Sequence, residues 1–377
     1  MKLMHIADLH LGAPCSSFGR WAADRKSARD LLFGRLIDKA CSEVDMLIVS
    51  GDLFDRHDPE AGLVSQVKAG LRRFSSGGGT AILVPGNHDE ITYPKSVYRK
   101  EGWEGICTLV TSPRPAIVFS EQVKGEHVTV MSCAYTGGVT KQEELESLPA
   151  AREGSFSIAA LHASLNNAPP GKDRDRAMIV KASAISSAGY KYAALGHFHK
   201  RMHIEDAGAS FVYPGIIEAA GFADEPVGSW VLVEIAGGRA QVSWMPLEGC
   251  EGVKKVRVSV SGLSAVEAAK MIAAAAGGSV YVDAVLYGTA AAGFMVEDVV
   301  AELAASGKRA RITADELAAD GQELYVTAGE MSIRGLFVKE LLAEMESADP
   351  VRRKALERAV RLGLDALGRD GGHGKVS

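Results

Sequence analysis

Five apolar runs in this chain end in the same way, on side chains that bind metal ions. Leu3–Ile6 runs into Asp8-Leu9-His10, Met46–Ser50 into Gly51-Asp52-Leu53-Phe54-Asp55, and Ala81–Val84 into Pro85-Gly86-Asn87-His88-Asp89. Further along, Ile158–Leu161 reaches His162, and Tyr192–Leu195 reaches Gly196-His197-Phe198-His199. Short apolar runs bounded by glycine and polar residues read as buried strands. Side chains alternate along a strand, so residues two apart, Asp8 with His10 and His197 with His199, can point the same way into one cleft. The fold expected is therefore one that collects these strand ends on a single rim.

The residue types specify the chemistry of that rim. Carboxylate, amide oxygen and imidazole together suit Mn, Fe or Zn, whereas Mg and Ca prefer shells of oxygen. Two such ions about 3.5–4 Å apart clamp the attacking and leaving oxygens of an in-line phosphoryl displacement. A carboxylate such as Asp52 could bridge them. Any one piece alone reads as a capped turn or a satisfied histidine, and it is the joint order of five that points to a hydrolytic site.

The ordered set Asp8-x-His10, Gly51-Asp52, Gly86-Asn87-His88-Asp89, His162 and Gly196-His197-x-His199 resembles the complete signature of the calcineurin-like metallophosphoesterases. The start Ile6-Ala7-Asp8-Leu9-His10-Leu11-Gly12, with Gly51-Asp52-Leu53-Phe54-Asp55, is similar to the DNA-repair exonuclease branch that includes SbcD and YhaO. The resemblance covers residues 8 to 199. It implies that Asp8, His10 and His199 hold one divalent metal and Asn87, His162 and His197 the other, with Asp52 bridging. Mn2+ is the metal expected, with Fe or Zn as alternatives. His88 matches the family's catalytic histidine, which stabilises or protonates the leaving oxygen, and Asp89 is expected to orient it. The implied nucleophile is a water acidified by the two cations.

Other residues lie near these motifs. Asp55 sits where some archaeal relatives carry a second histidine, and reads as a group just behind the ligands. His57, in the polar loop Arg56-His57-Asp58-Pro59, reads as a solvated residue or a DNA contact. Tyr213-Pro214-Gly215 resembles a loop that the family places beside the metals, although a plain turn explains Pro-Gly equally well. His5 reads as a strand residue facing the core, and His203 as a histidine the site does not need.

At 377 residues the chain exceeds one typical domain. With 47% hydrophobic and 24% charged residues it is an ordinary globular composition, which excludes a disordered majority. Cys15, Cys41, Cys107, Cys133 and Cys250 are odd in number and widely spaced, as reduced thiols in a cytosol would be. With no apolar leader before Asp8 and no run near the ~20 residues of a membrane span, a cytoplasmic protein without a membrane is expected. The net charge of −5 argues against nucleic acid as substrate. Local patches at Lys172–Arg176, Lys200-Arg201, Lys254-Lys255-Arg257 and Lys308-Arg309-Arg311 could offset it. There is no Gly-x-x-x-x-Gly-Lys-Ser/Thr motif, and Gly77-Gly78-Gly79 precedes a strand, so it is a turn and not a phosphate loop.

Residues 1–247 read as the catalytic domain, a metallophosphoesterase-type two-sheet β-sandwich of the α/β class flanked by helices. Helices are predicted at Ser27–Cys41 and Glu60–Phe74, and later strands at Val128–Cys133, Phe211–Tyr213, Trp230–Ile235 and Val242–Met245. Residues 253–325 read as a smaller α+β domain, with strands at Val253–Val260, Val280–Tyr287 and Ala310–Thr313 and helices at Ser264–Ala276 and Val296–Ala305. Its position resembles the capping domain that shapes DNA access in this branch, and it could also be a packing or homodimerisation module. Residues 330–368 read as a helical C-terminal region and 369–377 as a flexible tail.

In the helical region Ile333, Phe337 and Leu341 form one stripe, and Leu356, Val360, Leu364 and Leu367 form another on a helix rich in arginine. The second helix either packs on its own domain or docks a partner. The resemblance implies a coiled-coil ATPase of the SbcC type. The leading reading is a two-metal DNA nuclease of DNA repair. A small-molecule phosphodiesterase or phosphatase is the first alternative. A non-catalytic scaffold on the same fold ranks last, because every expected ligand and His88 are present.

Overall fold

The computed structural model describes residues 1–137, 145, 147–166, 178–225, 228–291, 293–319 and 321–369. The basic run Lys172–Arg176 and the tail beyond residue 369 lie outside them. The chain divides into two compact units, Met1–Gly252 and Val253–Ser377.

The first unit begins with β1 (Lys2–Ile6), α1 (Ala22–Asp30), α2 (Leu32–Glu43), β2 (Met46–Ser50), α3 (Ala61–Ser76) and β3 (Thr80–Val84). A short α4 (Val97–Lys100) leads to β4 (Thr108–Leu109), β5 (Ala116–Val123), β6 (Glu126–Ser132) and β7 (Phe156–His162). Then come the two-residue strands β8 (Ser164–Leu165) and β9 (Ile179–Val180), α5 (Ala182–Ser187), β10 (Tyr192–Gly196), β11 (Met202–Asp206) and β12 (Ala209–Tyr213). The hairpin β13 (Ser229–Ala236) and β14 (Arg239–Pro246) completes it.

Two six-stranded sheets result, ordered β14-β13-β1-β2-β3-β4 and β11-β12-β10-β7-β6-β5. One buried cluster takes Leu3, Ile6, Ile48 and Leu83 from the first sheet and Val130, Ile158, Ala194 and Val212 from the second, as the sandwich requires. A second cluster, with Met131, Leu161, Leu195 and Phe211, covers the other face of the second sheet. β1, β2 and β3 are mutually parallel, as are β7 and β10, so their carboxyl ends emerge in groups. That edge is where open parallel sheets place their ligands.

The helix predicted over Ser27–Cys41 is two helices. Leu31, apolar though it is, is 65% exposed at the break between them. The reason is that the helices bury different chemistry: α1 turns Arg25 and Arg29 inward, whereas α2 buries Leu32, Phe33, Leu36, Ile37 and Ala40.

The second unit opens with β15 (Val253–Ser259), α6 (Ala265–Ala276), β16 (Tyr281–Ala290), α7 (Val296–Ala305) and β17 (Arg309–Ala319). All three strands are parallel, in the order β15-β16-β17, so each helix is a crossover between neighbours. A capping box of Ser264 and Glu267 starts α6. The strand predicted at Ala310–Thr313 extends to Ala319. Three helices follow, α8 (Gly321–Ala328), α9 (Ile333–Ser347) and α10 (Pro350–Arg369). Leu356 and Val360 of α10 are buried in one cluster with Leu324 and Val338, and Phe337, Leu341 and Leu364 pack against it. Gly363 allows this approach, since a Cβ there would stand 2.2 Å from the Phe337 ring. The α10 stripe therefore faces its own unit. Tyr325, Val326, Met331, Ile333 and Leu336 are apolar residues left exposed on α8, on α9 and in the turn between them.

Candidate metal centre

The loops leaving β1 and β2 travel together. Asp8 N donates to Gly51 O (3.1 Å), His10 N to Asp52 O (2.9 Å) and Leu11 N to Leu53 O (2.9 Å). This pairing holds Asp8, His10 and Asp52 in left-handed backbone conformations, with φ of 55°, 45° and 50°, and His197 joins them at 102°. Such backbone is costly for residues with a Cβ and persists where surrounding structure enforces it, commonly at functional sites. Glycines provide the necessary closeness. A Cβ on Gly51 would fall 2.1 Å from His162 Nδ1, one on Gly86 2.2 Å from Asp52 Oδ1, and one on Gly196 1.9 Å from Ser50 O.

Around these loops the side chains converge. His10 Nε2 and His199 Nε2 face each other at 3.2 Å, and with Asp8 they offer three ligand atoms within 4.8 Å of one another. Asn87 Oδ1 lies 2.9 Å from His162 Nε2 and 3.1 Å from His197 Nδ1. Asp52 Oδ2 stands between the two sets, 3.8 Å from His10 Nε2 and 3.4 Å from His162 Nε2. Its other oxygen accepts from His88 N at 2.8 Å. Asp8 accepts from His197 N through both oxygens, at 3.0 and 3.1 Å. His162 Nδ1 donates to Ser50 O (2.9 Å), which leaves Nε2 turned toward Asn87 and Asp52 and able to ligate, an arrangement that metal-binding histidines share. The donor set, a carboxylate and two imidazoles on one side and an amide oxygen and two imidazoles on the other, with Asp52 between them, fits two divalent cations.

The electrostatics agree with a site built to be compensated by cations. Burial would lower His162, but the Asp52 carboxylate, with Asp8 behind it, outweighs burial and raises it to about 9. Burial would raise Asp52, and the surrounding histidines hold it low instead, His162 foremost. Burial lowers His10 in spite of Asp55 and Asp52. His199 is raised against burial by Asp224, whose Oδ1 lies 3.9 Å from His199 Nδ1.

His88 and His199 are the open side of this cluster, with side chains 41% and 42% exposed, and the His88 ring is edge-on to His10. The group behind His88 is Asp55: the Asp55 carbonyl lies 3.1 Å from His88 Nδ1, and its carboxylate is 3.4 Å from His10 Nδ1. Asp89 points elsewhere. It accepts from Gly86 N (2.7 Å), Phe54 N (3.1 Å) and the Tyr98 hydroxyl (2.6 Å), so it braces the Asn87-His88 loop. Burial and then the Asp52 charge push it up to about 6.

Tyr213 is fully buried, with its hydroxyl donating to Ala163 O (2.9 Å) and accepting from Leu165 N (3.0 Å). It steadies the turn after His162 and does not reach solvent. His57 stacks on Tyr93. His203 pairs with Glu205 at 2.6 Å, apart from the site. His5 is buried in the core on Tyr192 OH (2.8 Å). Three further residues carry no motif that would have marked them. Asp224 backs His199, Tyr98 holds Asp89, and Arg29 donates to His10 O (3.0 Å) and to Glu218 O.

Residues 1–201 match the family model described as calcineurin-like phosphoesterase. The DNA double-strand break repair protein Mre11 of Sulfurisphaera tokodaii is 28% identical over 225 residues, 59% of this chain and 54% of that protein. The uncharacterized metallophosphoesterase YhaO of Bacillus subtilis is 23% identical over 252 residues, 63% of this chain and 58% of that one. The D component of the nuclease SbcCD from Rhodobacter capsulatus is 31% identical over 124 residues, 30% of this chain and 28% of that one. The chain spans about half the length of the Mre11 and YhaO relatives it matches.

Proposed function

Because the chain belongs to the calcineurin-like phosphoesterase family, we propose that it is a two-metal DNA nuclease acting in DNA repair. The observation that carries the reading is Asp52, one carboxylate oxygen standing between two complete ligand sets while the other holds the backbone of His88. Asp8, His10 and His199 would hold one cation, and Asn87, His162 and His197 the other, with Asp52 shared. When bound, the cations supply Lewis-acid charge for the phosphoryl oxygens and acidify a water. The residues do the rest. The Asp55 carbonyl can only accept, so His88 Nδ1 carries a hydrogen, and in the imidazolium form Nε2 carries the second, the proton it would deliver to the leaving oxygen as the ring returns to neutral imidazole. Asp89 keeps the loop in place.

DNA as substrate is drawn from the relatives named for double-strand break repair and for the nuclease SbcCD. The test is hydrolysis with Mn2+ of end-labelled single-stranded and duplex DNA beside a chromogenic phosphodiester. Cleavage of both substrate classes is expected. Hydrolysis of the chromogenic diester alone would favour a small-molecule phosphodiesterase, the reading that the net charge of −5 supports. A coiled-coil ATPase of the SbcC type belongs to the same proposal. Since the α10 stripe faces inward, the docking face assigned to it is the exposed row Tyr325, Val326, Met331, Ile333 and Leu336. Ile333→Asp with Leu336→Asp should abolish co-purification with such an ATPase, and undiminished association would remove that assignment.

A further inference from the structure

The loops after β2 and β3 carry an aromatic pair beside the ligands. His57 and Tyr93 stack with ring centroids 4.1 Å apart and planes 17° from parallel. Val97 N donates to His57 O at 2.8 Å and ties the two loops together. His57 is two residues from Asp55, the group that touches both His10 and His88, so the chain's reach keeps its backbone within about 7 Å of that residue.

Tyr93 is 48% exposed although one face is covered by His57. A tyrosine serving only packing in this segment looks different: Tyr98 is 4% exposed, with its hydroxyl on Asp89. Exposed Arg56 adjoins His57 in sequence, and exposed Lys95 follows Tyr93 by two. Asp58, the acidic residue of the same loop, lies 3.9 Å from Lys100. The two loops thus present a stacked aromatic face, with the exposed cations Arg56 and Lys95 close to it in sequence.

We propose that the His57–Tyr93 stack is a platform on which a nucleobase of the substrate lies while the neighbouring phosphate enters the metal centre. This rests on the nuclease reading and adds the means of recognition. Every base has a π-face, so stacking on an aromatic residue holds a single strand without selecting its sequence. It also answers the acidic balance of the chain. Affinity from stacking does not come from counterion release, so it needs no extended basic stripe.

The test uses the full-length chain carrying His88→Asn, which suppresses cleavage, and single strands containing 2-aminopurine, whose fluorescence is quenched on stacking. Tyr93→Ala should remove the quenching and raise Kd by about 5- to 150-fold, the range spanned by base–aromatic stacking. Tyr93→Phe should restore both, since stacking does not need the hydroxyl. A sugar–phosphate strand without bases should bind equally well with and without the Tyr93→Ala change. If Tyr93→Ala weakened the base-free strand as much as the normal one, the residue would be structural and the platform overturned. Quenching of a 2-aminopurine mononucleotide, with no cleavage of DNA by the chain bearing His88, would keep the platform and overturn the nuclease. Cleavage of DNA with quenching indifferent to Tyr93 would do the reverse.

Discussion

At the scale of single residues, the centre makes separable claims about Asp52 and His88. One oxygen of Asp52 stands between both sets, so under the proposed bridging role Asp52→Ala should lose metal from both, leaving less than one ion per chain after reconstitution. Two retained ions would sink the bridging role. His88 supplies no atom to either set, and its side chain is 41% exposed. His88→Asn should therefore keep both metals while turnover falls by about 10²–10⁴-fold. Near-wild-type cleavage, or loss of metal, would refute the proton-donor role. His162 predicts a pH dependence. Its pKa is raised to about 9, so at neutral pH the folded chain holds a proton that a cation must displace. Apparent metal affinity should climb by up to about tenfold per pH unit and level off near pH 9. Titration calorimetry in buffers of different ionisation heat should show proton release at about pH 7.5, and heat independent of the buffer would contradict it.

At the scale of elements, the site depends on loops packed too closely for side chains. Gly196 ends β10 with no room for a Cβ, since one would stand 1.9 Å from Ser50 O and 2.9 Å from His162 Nδ1. Gly196→Ala should cost about 1–3 kcal/mol or more in urea unfolding and impair metal retention. Gly34, in the first turn of α2, has nothing within 4 Å of the place a methyl group would take, and Gly34→Ala should stabilise by about 0.5–1 kcal/mol. Equal behaviour of the two variants would remove the crowding argument. The elements themselves were unevenly legible. α3 lies within two residues of its prediction because Leu63, Val64, Val67 and Leu71 keep a helical period and all face the core. The break at Leu31 was hidden, because a buried arginine looks polar in sequence while α1 uses two of them as inward-facing residues.

At the scale of the whole molecule, each unit has its own core, and the boundary can be placed by contacts. Arg25, buried in the first unit, takes Glu218 at 2.5 Å and Glu251 at 3.1 Å, so a chain cut before Glu251 loses a partner of a buried charge. A truncation ending at Gly252 should hydrolyse a small phosphodiester and lose processing of DNA if residues 253–325 govern access for a polymer. Equal loss of both activities in a folded truncation would leave the second unit a structural role.

The amino-acid sequence alone determined which Asp, Asn and His residues follow the strands and in what order, because apolar runs and the chemistry of Asp, Asn and His are local properties. It also marked the alternation of strands and helices from Val253 to Ala305. Convergence was not local. That Asp55 and not Asp89 stands behind His88, that Asp224 backs His199, and that Tyr213 is sealed beneath the turn after His162 follow from strands brought into register from distant parts of the chain. The left-handed backbone of Asp8, His10, Asp52 and His197 has the same origin. None of these residues would adopt it by intrinsic preference, and only the pairing of neighbouring loops, with glycines where side chains would collide, makes it the lower-energy choice.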